Sequence, residues 1–134
     1  MNWMGCALGS ARTETVCAAV RALTPCFGPP VARLFGRPET VDILHAALIN
    51  GISSHVLDYD DTHARAIHPS APVWPALLAL ADAGSAAGHP GSPPGLGAVS
   101  GRRLLHAFVL GVEVECRVGL SVFPEHYAIG WHIT

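Results

Sequence analysis

The sequence predicts an all-α fold, and three observations support this class. Apolar residues recur at helical spacing in several segments, and proline and glycine separate these segments. No stretch of about four to eight residues alternates apolar and polar side chains with the β-branched or aromatic enrichment typical of a strand. A length of 134 residues is enough for one domain that buries a core. We therefore predict a single helical domain over residues 1–134.

Four helices are expected along the chain. The first runs from Leu8 to about Leu23, is rich in alanine, and ends before Pro25. Residues 26–38 are rich in proline and glycine, which predicts a loop. The remaining helices are expected over about 39–59, 72–86 and 101–121. The last helix has Ser100 as its N-cap, and an i/i+4 pair of Glu113 and Arg117 lies opposite its apolar stripe.

A segment of glycine and proline separates the last two predicted helices. Residues 84–97 contain five glycines and three prolines in fourteen positions. Such a composition cannot bury enough apolar surface to offset the entropy of ordering. We predict a flexible insertion without function at 84–97.

The polar segment at 55–70 is the main functional candidate. It holds three carboxylates and three imidazoles, although only 13% of the chain is charged. A solvated loop is the simple alternative. Periodic apolar segments flank it on both sides, however, and this favours a site inside the fold.

A helical wheel divides the carboxylates of this segment into two groups. At 100° per residue, an apolar stripe forms on one side of the incoming helix. If that helix continues, Asp58 and Thr62 lie on its inward face, whereas Asp60 and Asp61 point away. The stripe consists of Leu44, Leu48, Gly51, Ile52 and His55. An inward carboxylate is the usual setting for a general acid or base, so Asp58 and Thr62 are the candidates for a buried site.

His68 is expected at the start of the next helix. The prolines at 69 and 72 are of the kind that a helix tolerates in its first turn. The positive end of the helix dipole disfavours an imidazolium there, and a neutral imidazole can accept a proton. His68 is therefore a candidate base, with a hydrogen-bonded structural histidine as the alternative.

These residues resemble the signature of the MmgE/PrpD family, which includes 2-methylcitrate dehydratases and cis-aconitate decarboxylases. The central match is LDYDDTH at 57–63 followed by IHPSAPV at 67–73. Similarity extends over nearly the whole chain in order. The other matching segments are WMGCALGS at 3–10, AALING at 46–51, VSGRRLL at 99–105, GVEVECRVGL at 111–120, HY at 126–127 and GWH at 130–132.

The resemblance implies a site, a substrate class and an assembly. The family places its active site between a large helical domain and a smaller α+β lid, without a metal, an iron–sulfur cluster or another cofactor. The site residues implied for this chain are Asp58, Thr62, His68 and His132. The implied substrates are small di- and tricarboxylates, and the implied assembly is a homodimer formed through the helical domain.

The chain also departs from the family pattern. Family members are longer and supply active-site lysines from a part that has no match here. All eight basic residues of this chain are arginines. We therefore expect part of the helical domain without the lid, and half of an active site.

Composition and charge exclude several other classes. The net charge of −2 gives no electrostatic footprint for nucleic acid. No uninterrupted run of about 18 apolar residues predicts a membrane span, and the N-terminus lacks a secretory signal. The four cysteines form no Cys-x-x-Cys pair, which favours reduced thiols and an intracellular protein, cytoplasmic or mitochondrial.

A metal site is the weaker interpretation of the polar segment. His63 and His68 are five residues apart, with Asp60 and Asp61 nearby, but no second cluster in the sequence completes a tetrahedral set. We therefore predict no metal ligand.

Three functions remain open at this point. The first is a lyase in which His68 or His132 acts as base while Asp58 and Thr62 orient it or bind the leaving group. The second is a non-catalytic helical dimerisation fragment. The third is a carbocation cyclase that uses the acidic motif at 58–62, although only 7% of the residues are aromatic and such a cavity needs aromatic walls.

Overall fold

The computed structural model describes residues 1–63, 68–90 and 92–131, and within them the fold is helical. The all-α prediction is confirmed, with one small sheet added. The elements in chain order are α1 Asn2–Ser10, α2 Glu14–Leu23, a 3₁₀ turn Thr24–Cys26, β1 Ala32–Arg33, β2 Thr40–Val41, α3 Ile43–His55, α4 Ser70–Ser85, α5 Gly101–Val122 and α6 Glu125–Ala128.

Helix α3 is the centre of the fold. It packs against α4, α1 and α2, while α5 packs against α4. The main buried cluster draws on α2, the hairpin, α3 and α4. Its members are Val16, Val20, Ala32, Leu34, Val41, Ala46, Ile49 and Ala79. Helix α3 thus contacts three other helices, and the polar segment begins at its C-terminal end.

The predicted inward face of α3 is wrong. Leu44 and Leu48 belong to the stripe predicted from the wheel, yet they are 78% and 50% exposed. The buried face instead carries Ala46, Ile49 and Ser53. Apolar residues occur on most sides of this helix, so their spacing does not indicate which side is buried.

Polar side chains on the buried face of α3 are satisfied by backbone groups of neighbouring elements. The Ser53 hydroxyl donates to the Ala7 carbonyl at 2.7 Å, and the Ser10 hydroxyl donates to the Ser53 carbonyl. Asn50 Oδ1 accepts from the Phe35 amide at 2.9 Å. Small residues with satisfied hydrogen bonds allow α1 to lie close to α3.

The connection before α3 contains a short hairpin that the sequence does not predict. Strands β1 and β2 are antiparallel, with Ala32 opposite Val41. Two residues per strand are too few to show alternation, so no pattern indicates them. The turn needs glycine at Gly36, where φ is +69° and a Cβ would lie 2.7 Å from that of Ala11.

The observed helix boundaries differ from those that the apolar patterns predict. The helix predicted from Leu8 to Leu23 is divided into α1 and α2 between Ser10 and Glu14. Helix α4 begins at Ser70 and ends at Ser85, so the first residues of the predicted insertion at 84–97 are helical. The Ser100 cap is confirmed, because its hydroxyl accepts from the Arg103 amide at 3.4 Å.

Helix α5 leaves much of its apolar surface exposed. It packs on α4 through Phe108, whose ring stacks on Trp74 at a centroid distance of 4.2 Å. The predicted pair of Glu113 and Arg117 is confirmed at 2.6 Å. Its exposed apolar residues include Leu105, Val109, Leu110, Val114 and Val118. Within the part of the chain that the structure describes, no helix has the length and apolarity needed to cross a bilayer.

We expect Asp42→Ala to lower the free energy of unfolding by about 1–2 kcal/mol at pH 7. Asp42 caps α3 by accepting from the amides of Leu44 and His45, and it also accepts from Gly28 N at 2.8 Å. Burial acts to raise the pKa of Asp42, but hydrogen bonds with the Gly28 amide and with the ring and amide of His45 outweigh it and lower the pKa to about 2. The contribution of the carboxylate is therefore present above its ordinary pKa of 3.8 and is lost as the pH falls through about 2.

Urea unfolding measures this difference, with Glu14→Ala as the matched control. Glu14 pairs with Arg21 on the open surface, where an ion pair contributes little. An equal loss of stability in both variants would contradict the capping role of Asp42.

Candidate functional site

The polar segment forms the connection between α3 and α4. Helix α3 ends at His55, and Asp58 adopts a left-handed backbone conformation with φ of +55°. The Asp58 amide donates to the His55 carbonyl at 2.8 Å and closes the turn. The Asn2 side chain donates to the Tyr59 carbonyl at 2.9 Å and holds the turn against α1. The helix therefore does not continue to Thr62, and the helical wheel included residues that lie beyond the end of α3.

Asp60 is the buried carboxylate of the segment. It is only 5% exposed, so the prediction that it points away from the fold is wrong. Its Oδ1 lies 3.0 Å from His55 Nδ1 and 3.2 Å from His68 Nδ1. The two imidazole rings meet edge to face at 4.7 Å. One buried carboxylate thus joins the last residue of α3 to a residue just before α4.

His68 lies where the sequence predicts it, just before α4. Its carbonyl accepts from the Ala71 amide at 3.1 Å, and the helix begins at Ser70. Its Nε2 lies 3.3 Å from Asp58 Oδ1, so the two ring nitrogens contact two different carboxylates. The His68 side chain is 17% exposed and that of Asp58 is 77% exposed. Asp58 is therefore close to His68 as expected, but it approaches from the solvent side.

The other two predicted site residues are not brought into this cluster by the described structure. Thr62 is exposed, and no hydrogen bond within the described ranges joins it to Asp58 or His68. His132 lies outside the described residues. Their roles remain predictions.

The cluster contains two residues that the sequence does not assign to the site, His55 and Asp60. His55, Asp58, Asp60 and His68 each offer one nitrogen or oxygen, and these four atoms lie within 4.8 Å of one another. The prediction that the chain has no metal ligand therefore stays a prediction, although these four side chains could hold an ion. One signal could have revealed the arrangement. Aspartate is among the few residues that tolerate a left-handed conformation, so Asp58 marks a possible helix end.

Glu115 on α5 lies close enough to the same segment for its charge to interact with Asp61. Glu113 is exposed and pairs with Arg117, whereas Glu115 is half-buried. Burial, together with the charge of Asp61, raises the pKa of Glu115 to about 7. Burial and the charges of Asp60 and Asp61 also raise the pKa of the Cys6 thiol on α1. The acidic segment therefore influences groups on both α1 and α5.

We expect Glu115→Gln to stabilise the fold at pH 8 and to have little effect at pH 4.5. A carboxyl group with a raised folded pKa contributes stability that is complete below its ordinary pKa of 4.5 and is lost as the pH rises through about 7. Glutamine has nearly the shape of the protonated glutamate side chain and stays uncharged at both pH values. The expected gain at pH 8 is about 1 kcal/mol, after a discount for solvent screening.

Urea unfolding at both pH values tests this prediction, with Glu113→Gln as the control on the same helix. The control removes an exposed ion pair with Arg117. A gain from Glu115→Gln that is the same at both pH values would contradict the proposed titration.

Comparisons with known proteins point to one family. The sequence profile of the MmgE/PrpD N-terminal domain matches residues 1–134. Human cis-aconitate decarboxylase is 41% identical over 86 residues, and the mouse protein of the same name is 38% identical over 86 residues. Each match covers 63% of this chain and 16% of the relative. Since the profile covers every residue, the chain belongs to the MmgE/PrpD family, as a match to its N-terminal domain.

Proposed function

We propose that this chain provides the proton-transfer residues of a lyase that acts on small di- and tricarboxylates. The observation that carries the proposal is His68, whose two ring nitrogens contact the carboxylates of Asp60 and Asp58. The names of the two relatives favour decarboxylation of a substrate such as cis-aconitate. Dehydration of a substrate such as 2-methylcitrate would use the same histidine to move a proton in the opposite direction, and it is the close alternative.

The position of Asp60 supports a division of labour between the two nitrogens of His68. The negative charge of Asp60 lies 3.2 Å from Nδ1, and although the contact lacks hydrogen-bond geometry, this charge favours a proton on that nitrogen and stabilises the ring when Nε2 gains a second proton. Nε2 then faces the more exposed side, where Asp58 lies. His55 contacts the same Asp60 oxygen and holds the carboxylate in place. In this scheme Nε2 exchanges protons with substrate, whereas Asp60 and His55 are positioning residues.

His68 can move the required proton in either reaction. In dehydration, His68 Nε2 takes a proton from a carbon next to a carboxylate, the carbon–oxygen bond at the neighbouring carbon breaks, and a proton returned to the hydroxyl releases water. In decarboxylation, the carbon–carbon bond breaks, CO₂ leaves, and the electron pair left on carbon takes a proton from His68. General acid–base catalysis of this kind contributes roughly 100- to 10,000-fold to a rate.

Substrate carboxylates need cationic donors that this cluster does not supply. The sequence contains no lysine. Among the described arginines, four are paired with carboxylates elsewhere in the fold: Arg21, Arg33, Arg37 and Arg117. The chain spans about a sixth of the length of the relatives it matches. We propose that the remaining donors come from outside the described residues, in keeping with a half-site.

NMR of the His68 ring, recorded while this chain is titrated with cis-aconitate, tests the half-site. We expect the ring signals to shift while cis-aconitate is consumed at a rate close to background. Loss of two charge-stabilising donors would cost on the order of 100- to 1000-fold each. Ring signals that do not move at saturating tricarboxylate would contradict the site, and rapid consumption that His68→Ala abolishes would contradict the half-site.

A second candidate function is a helical dimerisation module without catalysis. The exposed apolar face of α5 favours it, because a face of this kind is typical of a surface that another helix covers. Light scattering measures the mass of the chain in solution. This candidate would be favoured over the lyase if the chain is a dimer and if no tricarboxylate shifts the NMR signals of the His68 ring.

A further inference from the structure

Four metal-ligating side chains converge where α3 leads toward α4. His55 ends α3, Asp58 and Asp60 lie in the turn after it, and His68 precedes α4. Their candidate ligand atoms all lie within 4.8 Å of one another. A tetrahedral zinc ion with bonds of about 2.0–2.2 Å places its ligand atoms about 3.3–3.6 Å apart. Two contacts are already close to this range, from Asp60 Oδ1 to His55 Nδ1 at 3.0 Å and to His68 Nδ1 at 3.2 Å. Asp58 contacts the other nitrogen of His68 at 3.3 Å.

The buried part of the cluster has unused ligand capacity. The Asp60 side chain is completely buried, and its Oδ2 has no hydrogen-bond partner among the described residues. His68 Nδ1 is also buried, and although it lies near Asp60 Oδ1 it lacks a hydrogen bond of good geometry there. A buried polar atom without a partner costs free energy, and a bound ion would offset that cost by coordinating the atom.

The charge of the cluster also favours a cation. Two carboxylates face two imidazoles, and the ion pairs found in the described ranges place no arginine on Asp58 or Asp60. With neutral imidazoles, the four groups carry two negative charges, which one divalent cation would balance. Two nitrogen ligands select a transition metal over Mg²⁺ or Ca²⁺, which prefer oxygen ligands.

We propose that His55, Asp58, Asp60 and His68 form a binding site for one Zn²⁺ ion. The site goes beyond the proposed lyase function. Zinc takes the lone pair of a His68 nitrogen and draws Asp58 away from the solvent. The zinc-bound form and the form in which His68 exchanges protons with substrate therefore exclude each other.

Calorimetric titration of the full chain with ZnCl₂ tests the proposal without any substrate. Cys26→Ser is introduced throughout, because the exposed thiol of Cys26 could bind zinc by itself. We expect one Zn²⁺ per chain. Asp58→Asn should weaken binding by at least about 10- to 100-fold, since changes even in residues that only support a ligand have effects of this size. Asparagine suits this test, as it tolerates the left-handed backbone and the side chain is exposed.

A matched control and a second variant make the result decisive. His106→Asn removes an exposed imidazole on α5 and should leave zinc affinity unchanged. Asp60→Asn should weaken binding by a similar factor, with thermal unfolding measured in parallel to show that the variant is folded. If Asp58→Asn and His106→Asn bind zinc as tightly as the parent chain, or if no zinc binds, the site is refuted. Co²⁺ provides an independent measurement, because its visible spectrum should change on binding to the parent chain and should need a correspondingly higher Co²⁺ concentration to change with Asp58→Asn.

Discussion

We expect His68→Ala to lower the rate of CO₂ release from cis-aconitate by about 100- to 10,000-fold, the range that general acid–base catalysis supplies. The measurement uses a hybrid protein in which this chain replaces the corresponding part of the N-terminal domain of human cis-aconitate decarboxylase, with which it aligns over 86 residues. The expected loss follows from the position of His68, the only residue of the cluster whose two ring nitrogens contact two different carboxylates.

The control for this experiment is His106→Ala in the same hybrid. His106 is exposed on α5 and should tolerate the change. Both variants are compared by thermal unfolding, so that a loss of rate is not a loss of fold. A His68→Ala hybrid that is folded and retains at least half of the parent rate would show that another group transfers the proton.

Asp60→Asn should have the second largest effect, a loss of about 10- to 100-fold in kcat with little change in KM. Asparagine has the shape of aspartate but cannot balance a charged His68 ring, and it can turn its amide toward either imidazole. Because Asp60 acts through His68, the pH–rate profile should also move to a different midpoint. A purely structural role would lower the stability of the protein without moving that midpoint.

His55→Asn is the matched variant for Asp60→Asn. It removes the second contact of the same buried oxygen, at 3.0 Å, and leaves the pairing of Asp60 with His68 intact. We expect a smaller loss, of less than about tenfold. A loss from His55→Asn that exceeds the loss from Asp60→Asn would contradict the proposed order of roles.

The sequence predicts the helical class and the location of the polar cluster, because these features depend on local signals. Ser100 caps α5 as expected, since a serine before an apolar helix has one favoured role. His68 is located correctly by the prolines that follow it. The motif at 57–73 is informative because so many polar groups are rare in a chain of this composition.

The inward and outward assignment fails because it depends on where α3 ends. The wheel treats residues 41–62 as one helix, whereas the helix ends at His55 and Asp58 turns the chain. That turn reverses the expected order, so Asp60 is buried and Asp58 is exposed. The stabilising contacts of Asp60 come from both ends of the connection, and no periodic pattern reports contacts of this kind.

The burial of Glu115 could not be predicted for a related reason. Its neighbours on α5 give no sign of burial, and the sequence indicates only a charged pair of Glu113 with Arg117. The shift in its pKa arises from burial and from Asp61, a residue of a different segment. A long-range contact of this type becomes visible only when the helices are assembled.

The most direct measurement of the central proposal is the rate at which the unsubstituted hybrid releases CO₂ from cis-aconitate. The 134 residues of this chain would replace the corresponding segment of the relative, of which 86 residues align directly, and the rest of the relative would supply the cationic donors that the described cluster lacks. We predict a rate well above background that depends on His68. A hybrid that unfolds cooperatively on heating, yet releases CO₂ no faster than its His68→Ala variant, would contradict the proposal that this chain carries the proton-transfer residues of a lyase.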